Sequence, residues 1–199
     1  DVLMSYIALD GKYQRCMSSL RDASLDDNAP NVKHYMTKSN LSVYNFDMVK
    51  ARYSNGLGVS EQPKSVDALA SSLNGDIYLI EFKNGDISNR KKGLEIRRKI
   101  YDSLIILYDL LGSGPALSRS EVVFVLVYNE HKNKCVNGID QSVSSENSRI
   151  KIAATVSRKA GKPFVPFGLG GLRDFCLKDV KTVTEAEFDR DVIPLLCEV

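Results

Sequence analysis

The sequence predicts an α/β fold, a mixed central β-sheet flanked by helices, on three observations. Two strand-like runs, "VDALASSL" and "IYLIEFK", are joined through Asn74-Gly75, a strong hairpin signal. After them, "GLEIRRKIYDSLIILYDLLG" places Ile96, Ile100, Leu104, Leu107 and Leu111 three and four residues apart, one face of an α-helix. Next comes "EVVFVLVYNE", a nearly continuous apolar run suited to a central strand buried on both faces. Strands that alternate with helices but include one tight hairpin imply a sheet of mixed direction, and the 94–111 helix is expected to cross over and bring strand 121–128 in parallel. The 199 residues suffice for a single α/β domain over 1–199.

The elements are expected in this order. Residues 1–60 read as a mainly helical N-terminal part. "LMSYIALDGKYQRCMSSLRD" is amphipathic, "DDNAPN" breaks it, "FDMVKARY" forms a short helix with Asp47 near its start, and "SNGLGVSEQP" is a loop. The hairpin, helix and central strand fill 61–130, and Gly112 and Gly114-Pro115 stop the helix. Residues 131–199 supply C-terminal helices and edge strands. These are a helix over "SSENSRIKIAATVSRKAG", an edge strand "PFVPFGL" weakened by Pro166, a strand in "FCLKDVKTV", and a helix opened by the capping box Thr184-x-x-Glu187.

Composition excludes several classes. The chain is 43% hydrophobic and 26% charged, with net charge +2, an ordinary globular balance with no global basic bias. No apolar run approaches the ~18 residues of a membrane span, and the first residues lack a signal peptide's basic start and long apolar core. A cytoplasmic protein without membrane contact is expected. Cys16, Cys135, Cys176 and Cys197 are scattered without a CxxC pair, so they read as thiols rather than zinc ligands. His34 and His131 lack ligand-spaced partners, and "GLGG" at 168–171 lacks the lysine and serine of a phosphate loop and reads as a turn.

The charges on the hairpin are the unexpected feature. Glu81 and Lys83 share one face of their strand with Ile77 and Leu79, while Tyr78, Ile80 and Phe82 occupy the other, so both faces look buried and the charges need a reason. Where Asp67 points depends on the turn. A two-residue Asn-Gly turn sets Asp67 opposite Phe82. A three-residue loop, Leu73-Asn74-Gly75, pairs Ser72 with Asp76 and sets Asp67 opposite Glu81. The second register is expected, because its third loop residue must adopt the left-handed conformation and Gly75 stands there. Opposed residues have Cβ atoms ~4.5–5.5 Å apart, and carboxylates that close repel unless a cation lies between them. One or two carboxylates completed by waters and a phosphate describe a Mg²⁺ site, and a lysine beside it suits phosphodiester hydrolysis.

Asp67 followed by Glu81-Phe82-Lys83 on the second arm of a hairpin, and then by a helix, resembles the PD-(D/E)xK nuclease superfamily over residues 65–128. Val66 stands where the motif's name has proline. The resemblance implies a restriction-endonuclease-like fold with a nuclease-like core at 61–130. It also implies a Mg²⁺- or Mn²⁺-dependent nuclease that cuts phosphodiester bonds. Asp67 and Glu81 would be metal ligands, the backbone carbonyl of Phe82 a third, and Lys83 the catalytic lysine. An acid on the first helix is often added in this superfamily, and Glu61 and Asp47 compete for that place. Lys99 or Glu95 would supply a side chain from the helix after the lysine.

Arg90, Lys91, Lys92, Arg97, Arg98 and Lys99 follow the motif and suit phosphate contacts, or else a solvated face with pairing such as Glu95–Lys99. Arg149, Lys151, Arg158, Lys159 and Lys162 form a looser basic group. The expected partner is nucleic acid, DNA ahead of RNA, and a homodimer or a protein inhibitor is compatible with the chain. The alternative is a nuclease-fold module that keeps the shape without the chemistry and binds nucleic acid or protein.

Overall fold

The computed structural model describes residues 9–29, 32–133 and 165–197. A 3-10 turn, Gly11–Cys16, leads into β1 (Met17–Ser19), the one-turn helix α1 (Leu20–Ala23), a hairpin of β2 (Leu25–Ala29) and β3 (Val32–Tyr35), and β4 (Ser42–Asn45). Next come α2 (Phe46–Leu57), β5 (Ala68–Ser72), β6 (Ile77–Lys83), α3 (Arg90–Leu110), α4 (Pro115–Glu121), β7 (Val122–Tyr128), β8 (Asp179–Thr184) and β9 (Leu196–Cys197). Seven strands form one sheet in the order β1-β4-β5-β6-β7-β8, with β9 also paired to β5. The β1–β4, β4–β5, β5–β6 and β5–β9 pairs are antiparallel, and β6, β7 and β8 run parallel. The fold is thus α/β, with a mixed and largely antiparallel sheet flanked by helices.

Strand alternation divides the core in two. Ile77 and Leu79 of β6, with Phe124 and Leu126 of β7, join the cluster under α2 and α3. Tyr78, Ile80 and Phe82, with Val123, Val125 and Val127, pack on the other side against Leu20, Met36, Phe188 and Val192. All seven residues of β7 are buried, as a strand with neighbours on both edges and cover on both faces requires. The crossover through α3 and α4 brings β7 parallel to β6, Ile77 beside Val122 through Lys83 beside Tyr128.

Both long helices start on an asparagine cap. Asn45 Oδ1 accepts from the Met48 N–H (3.1 Å) and Asn89 Oδ1 from the Lys92 N–H (3.0 Å). α3 buries Ile96, Ile100, Leu104 and Leu107 of the expected stripe, together with Ser103 and Ile106, while Leu111 caps the helix and is half-buried. α2 runs to Leu57 and ends on Gly58 at φ 65, so the expected loop begins four residues later than "SNGL" implied.

Other expectations change. In the N-terminal part the described residues of the amphipathic stretch are not one helix: Met17–Ser19 pairs with β4, and after them Leu25–Ala29 pairs antiparallel with Val32–Tyr35. The described part of 1–60 therefore contributes two strands to the main sheet. Residues 165–169 of "PFVPFGL" form turns with positive φ at Phe167 and Gly168, because proline cannot donate to a ladder. The helix stop expected at Gly112 and Gly114-Pro115 holds, since α3 ends at Leu110, but Pro115 also opens α4, in whose first turn its missing N–H costs nothing. The Thr184 capping box forms with Glu187, but the helix it opens continues as a π turn and then a 3-10 turn. The expected helix over 144–161 and the basic group at 149–162 lie outside the described residues, as does Cys135.

Candidate active site

The hairpin register decides the site. Ala68 pairs with Ile80 and Ser71 with Ile77, the Ser72 N–H donates to the Asp76 carbonyl (2.9 Å), and Gly75 has φ 83. This is the three-residue loop; its ladder ends at Ala68–Ile80, and Asp67 lies just before the first paired residue, with its carboxylate and that of Glu81 both within reach of Lys99. Asp67 is fixed from both sides. Its N–H donates to the Ile80 carbonyl (3.0 Å), its own carbonyl accepts from the Phe46 N–H (3.0 Å), and its Oδ2 accepts from the Phe82 N–H (2.6 Å).

Two lysines close on the acids. The Lys99 ammonium, from α3, lies 2.7 and 2.9 Å from the two Glu81 oxygens and 3.4 Å from Asp67 Oδ1. Lys83 Nζ lies 2.7 Å from Glu81 Oε1. The Glu81 side chain is 0% exposed, and Asp67, Lys99 and Lys83 are 18%, 21% and 28% exposed. One ammonium therefore holds a position shared by both carboxylates. Lys99 reaches it because Ile96, Ile100 and Ser103 turn that side of α3 onto the sheet.

The electrostatics follow from this crowding. Burial, and then the nearby Glu81 charge, push the Asp67 carboxyl up to about 7, against the pull of Lys99, the Phe82 N–H and Lys83. Burial opposes the Lys99 ammonium, but Glu81 and Asp67 outweigh it and raise that pKa above the ordinary lysine value. Asp47 stands nearby at the start of α2. Burial opposes its charge, but hydrogen bonds from Lys50 (2.8 Å) and Ser65 Oγ (2.5 Å), with Lys99 further off, hold its carboxyl below the usual range.

The cluster opens into a cavity of about 500 Å³. Asp47, Asp67, Phe82, Lys83, Lys92 and Lys99 line it on one side, and Asp22–Asp26 and Asn84–Ile87 form its walls. Asn84 ties the walls together, donating to Asp26 Oδ2 (2.7 Å) and accepting from Asn129 (2.8 Å) and Lys132 (3.2 Å). The buried Asn133 fixes the loop behind, accepting from the Ile87 N–H and donating to the Gly85 carbonyl.

The expected site residues therefore separate. Asp67, Glu81 and Lys83 come together, and Asp47 lines the cavity. Glu61 does not: its side chain is 84% exposed and holds Arg98 (3.3 Å) on another surface. Of the six bases, only Lys92 and Lys99 line the cavity. Arg90 and Lys91 are exposed, Arg97 donates to the Gly168 carbonyl, and Arg98 contacts Glu61 and Asp102. Glu95 pairs with Lys92 instead of Lys99. His34 lies 3.1 Å from Glu185, and His131 is exposed. The walls at Asp26 and Asn84 carried no sequence signal.

Among the described residues no three His, Cys, Asp or Glu side chains form a metal-holding group. A cation here would rest on two carboxylates and draw its remaining oxygens from backbone, water or substrate, which is how Mg²⁺ is commonly held. The two acids fit such an ion, since a single ammonium already lies within reach of both. Comparison of the chain with protein-family models, curated proteins and solved structures gave no match.

Proposed function

We propose that this protein is a Mg²⁺- or Mn²⁺-dependent nuclease of the PD-(D/E)xK type on a restriction-endonuclease-like fold. The observation that carries the reading is the cation position shared by Asp67 and Glu81, with Lys83 beside it, at the edge of a cavity. Asp67, Glu81 and the Phe82 carbonyl would hold the metal. When bound, it supplies a water of lowered pKa and polarises the phosphoryl oxygen.

The chain's own residues set the geometry. The Phe82 N–H aims Asp67, and Lys83 and Lys99 hold the buried Glu81 side chain in one orientation. Lys83 is the residue placed to orient an attacking water or to balance charge on the phosphoryl group. Asp67 enters as a carboxylate above pH about 7 and as an acid below it. Nucleic acid would be met by Lys92 in the cavity and by Arg90 and Lys91 at the start of α3, with DNA placed ahead of RNA.

A second reading has its own support. Lys99 already neutralises both acids, as suits a nuclease-fold module that binds nucleic acid or protein without cutting it.

The test is incubation of wild type and Lys83→Ala with plasmid, single-stranded DNA and tRNA, with Mg²⁺ or with EDTA. The nuclease reading expects metal-dependent cleavage of one of these, reduced by ~10²-fold or more in the variant. Full activity in Lys83→Ala removes the lysine from the mechanism, and no cleavage by wild type favours the binding module.

A further inference from the structure

The cavity beside Asp67 and Glu81 is closed on one side by a hydrogen-bonded bridge. Asn84, from the loop after β6, donates to Asp26 Oδ2 of β2 (2.7 Å), so two walls remote in sequence meet there. Asn84 is itself held from behind. Its Oδ1 accepts from Asn129 (2.8 Å) and Lys132 (3.2 Å), and Asn133 Nδ2 donates to the carbonyls of Asn129 (2.9 Å) and Gly85 (3.1 Å). A polar chain with its partners in place is a preformed wall. The acids that would take a metal lie at the floor, Glu81 fully buried and Asp67 largely so. A volume of about 500 Å³ falls within the ~300–1,000 Å³ of pockets that bury one drug-sized molecule. One nucleotide matches that size. A duplex carries its phosphates on the outside of a stacked rod and brings one of them to this floor only by unstacking.

Charge divides the cavity. Lys83, Lys92 and Lys99 stand on one side, and the walls carry Asp22, Asp26 and Asp86. Asp22 accepts from Ser19 Oγ (2.7 Å) and Asp86 from the Ser88 N–H (2.8 Å), neutral donors that leave the carboxylate charge in place. Arg21 is engaged on the Tyr35 ring (4.0 Å), and Lys132 on Asn84. A phosphate is drawn to the lysines and repelled by these walls. A nucleobase amino group is a donor that an aspartate accepts, as from cytosine N4.

We propose that the cavity takes one unpaired nucleotide of a single-stranded DNA segment, its phosphate toward Lys83 and Lys92 and its base against the wall of Asp22, Asp26 and Asp86. The inference rests on the nuclease reading for the place of the phosphate. Asn84 is a positioning residue: it holds the wall and touches no reacting atom.

Fluorescence anisotropy in EDTA tests it without cleavage, with one labelled oligonucleotide offered single-stranded or annealed to its complement. Wild type is expected to bind the single strand about ten-fold more tightly, since the duplex must first be unstacked. Asn84→Ala, which releases the bridge, should bring that ratio close to one. Asp86→Asn, at an exposed position and able to keep the Ser88 contact, should lower the ratio in the same sense by admitting duplex phosphates. Tighter or equal binding of the duplex by wild type, no binding of either form, or a ratio that neither variant changes would overturn the proposal. Cleavage in Mg²⁺ separates it from the nuclease reading. A single-strand preference lost in Asn84→Ala, without cutting, keeps the nucleotide site and removes the nuclease, whereas cutting that favours duplex does the reverse.

Discussion

The two ends of β6 carry acids and bases in different arrangements. At its start, Asp76 pairs with Lys178 (2.6 Å), and nearby Arg173 pairs with Asp179 (2.6 Å). Each acid there has its own base, and the bases reach solvent. At its end, Asp67 and Glu81 compete for Lys99, Lys83 also falls on Glu81, and Glu81 has no exposure. The first arrangement is satisfied locally and asks for nothing more. In the second, Asp67 is held up to about 7, a carboxyl that is only partly ionised at neutral pH. Such crowding costs stability, and perturbed groups of this kind concentrate at functional sites.

The largest stability effect should come from Lys99. Lys99→Met leaves two acids with only Lys83 between them and should cost about 3 kcal/mol in urea unfolding, near the low end for breaking a buried pair because Lys83 remains. If the shared position accepts a metal, the same variant should bind Mn²⁺ about ten-fold more tightly, since the competing ammonium is gone. A variant both stable and unchanged toward Mn²⁺ would erase the contrast between the two ends.

Asp67 gives the next effect, through pH. Its carboxyl titrates higher in the folded chain than the usual 3.8, so the folded state holds the proton more tightly than the unfolded one. The stability this lends is fully present below about pH 4 and is lost as pH rises through about 7. Unfolding measured at pH 5 and pH 8 should show this decline in wild type, and Asp67→Asn should lack that part of it. The smallest effect belongs to the other end. Lys178→Ala should change stability by about 1 kcal/mol or less, as partly exposed pairs do, and should leave metal binding untouched.

The legible parts of the molecule share a cause: each rested on a local rule with one solution. Gly75 in the left-handed region selects the loop, and the loop selects the register that pairs Ala68 with Ile80 and so leaves Asp67 beside Glu81 at the ladder's end. The α3 stripe and the β7 run are long enough for their periods to be unambiguous. What escaped notice was short or distant. β1 and β4 have three and four residues, too few for alternation to show, so their segment read as helix. The cavity walls at Asp22–Asp26 come from a segment remote in sequence. Glu95 pairs with Lys92, and Lys99, the other residue expected to reach the site from that helix, does reach it. Only the rotation of α3 on the sheet turns it to Glu81 while Arg98 points to Glu61.

The central claim is that Asp67 and Glu81 share one cation position open to a divalent metal. Calorimetric titration of Mn²⁺ into wild type and Glu81→Ala at pH 8, where Asp67 is ionised, tests it most directly. The account predicts saturable binding to one site per chain in wild type and none in the variant. Equal binding by both proteins, or none by wild type, would contradict it.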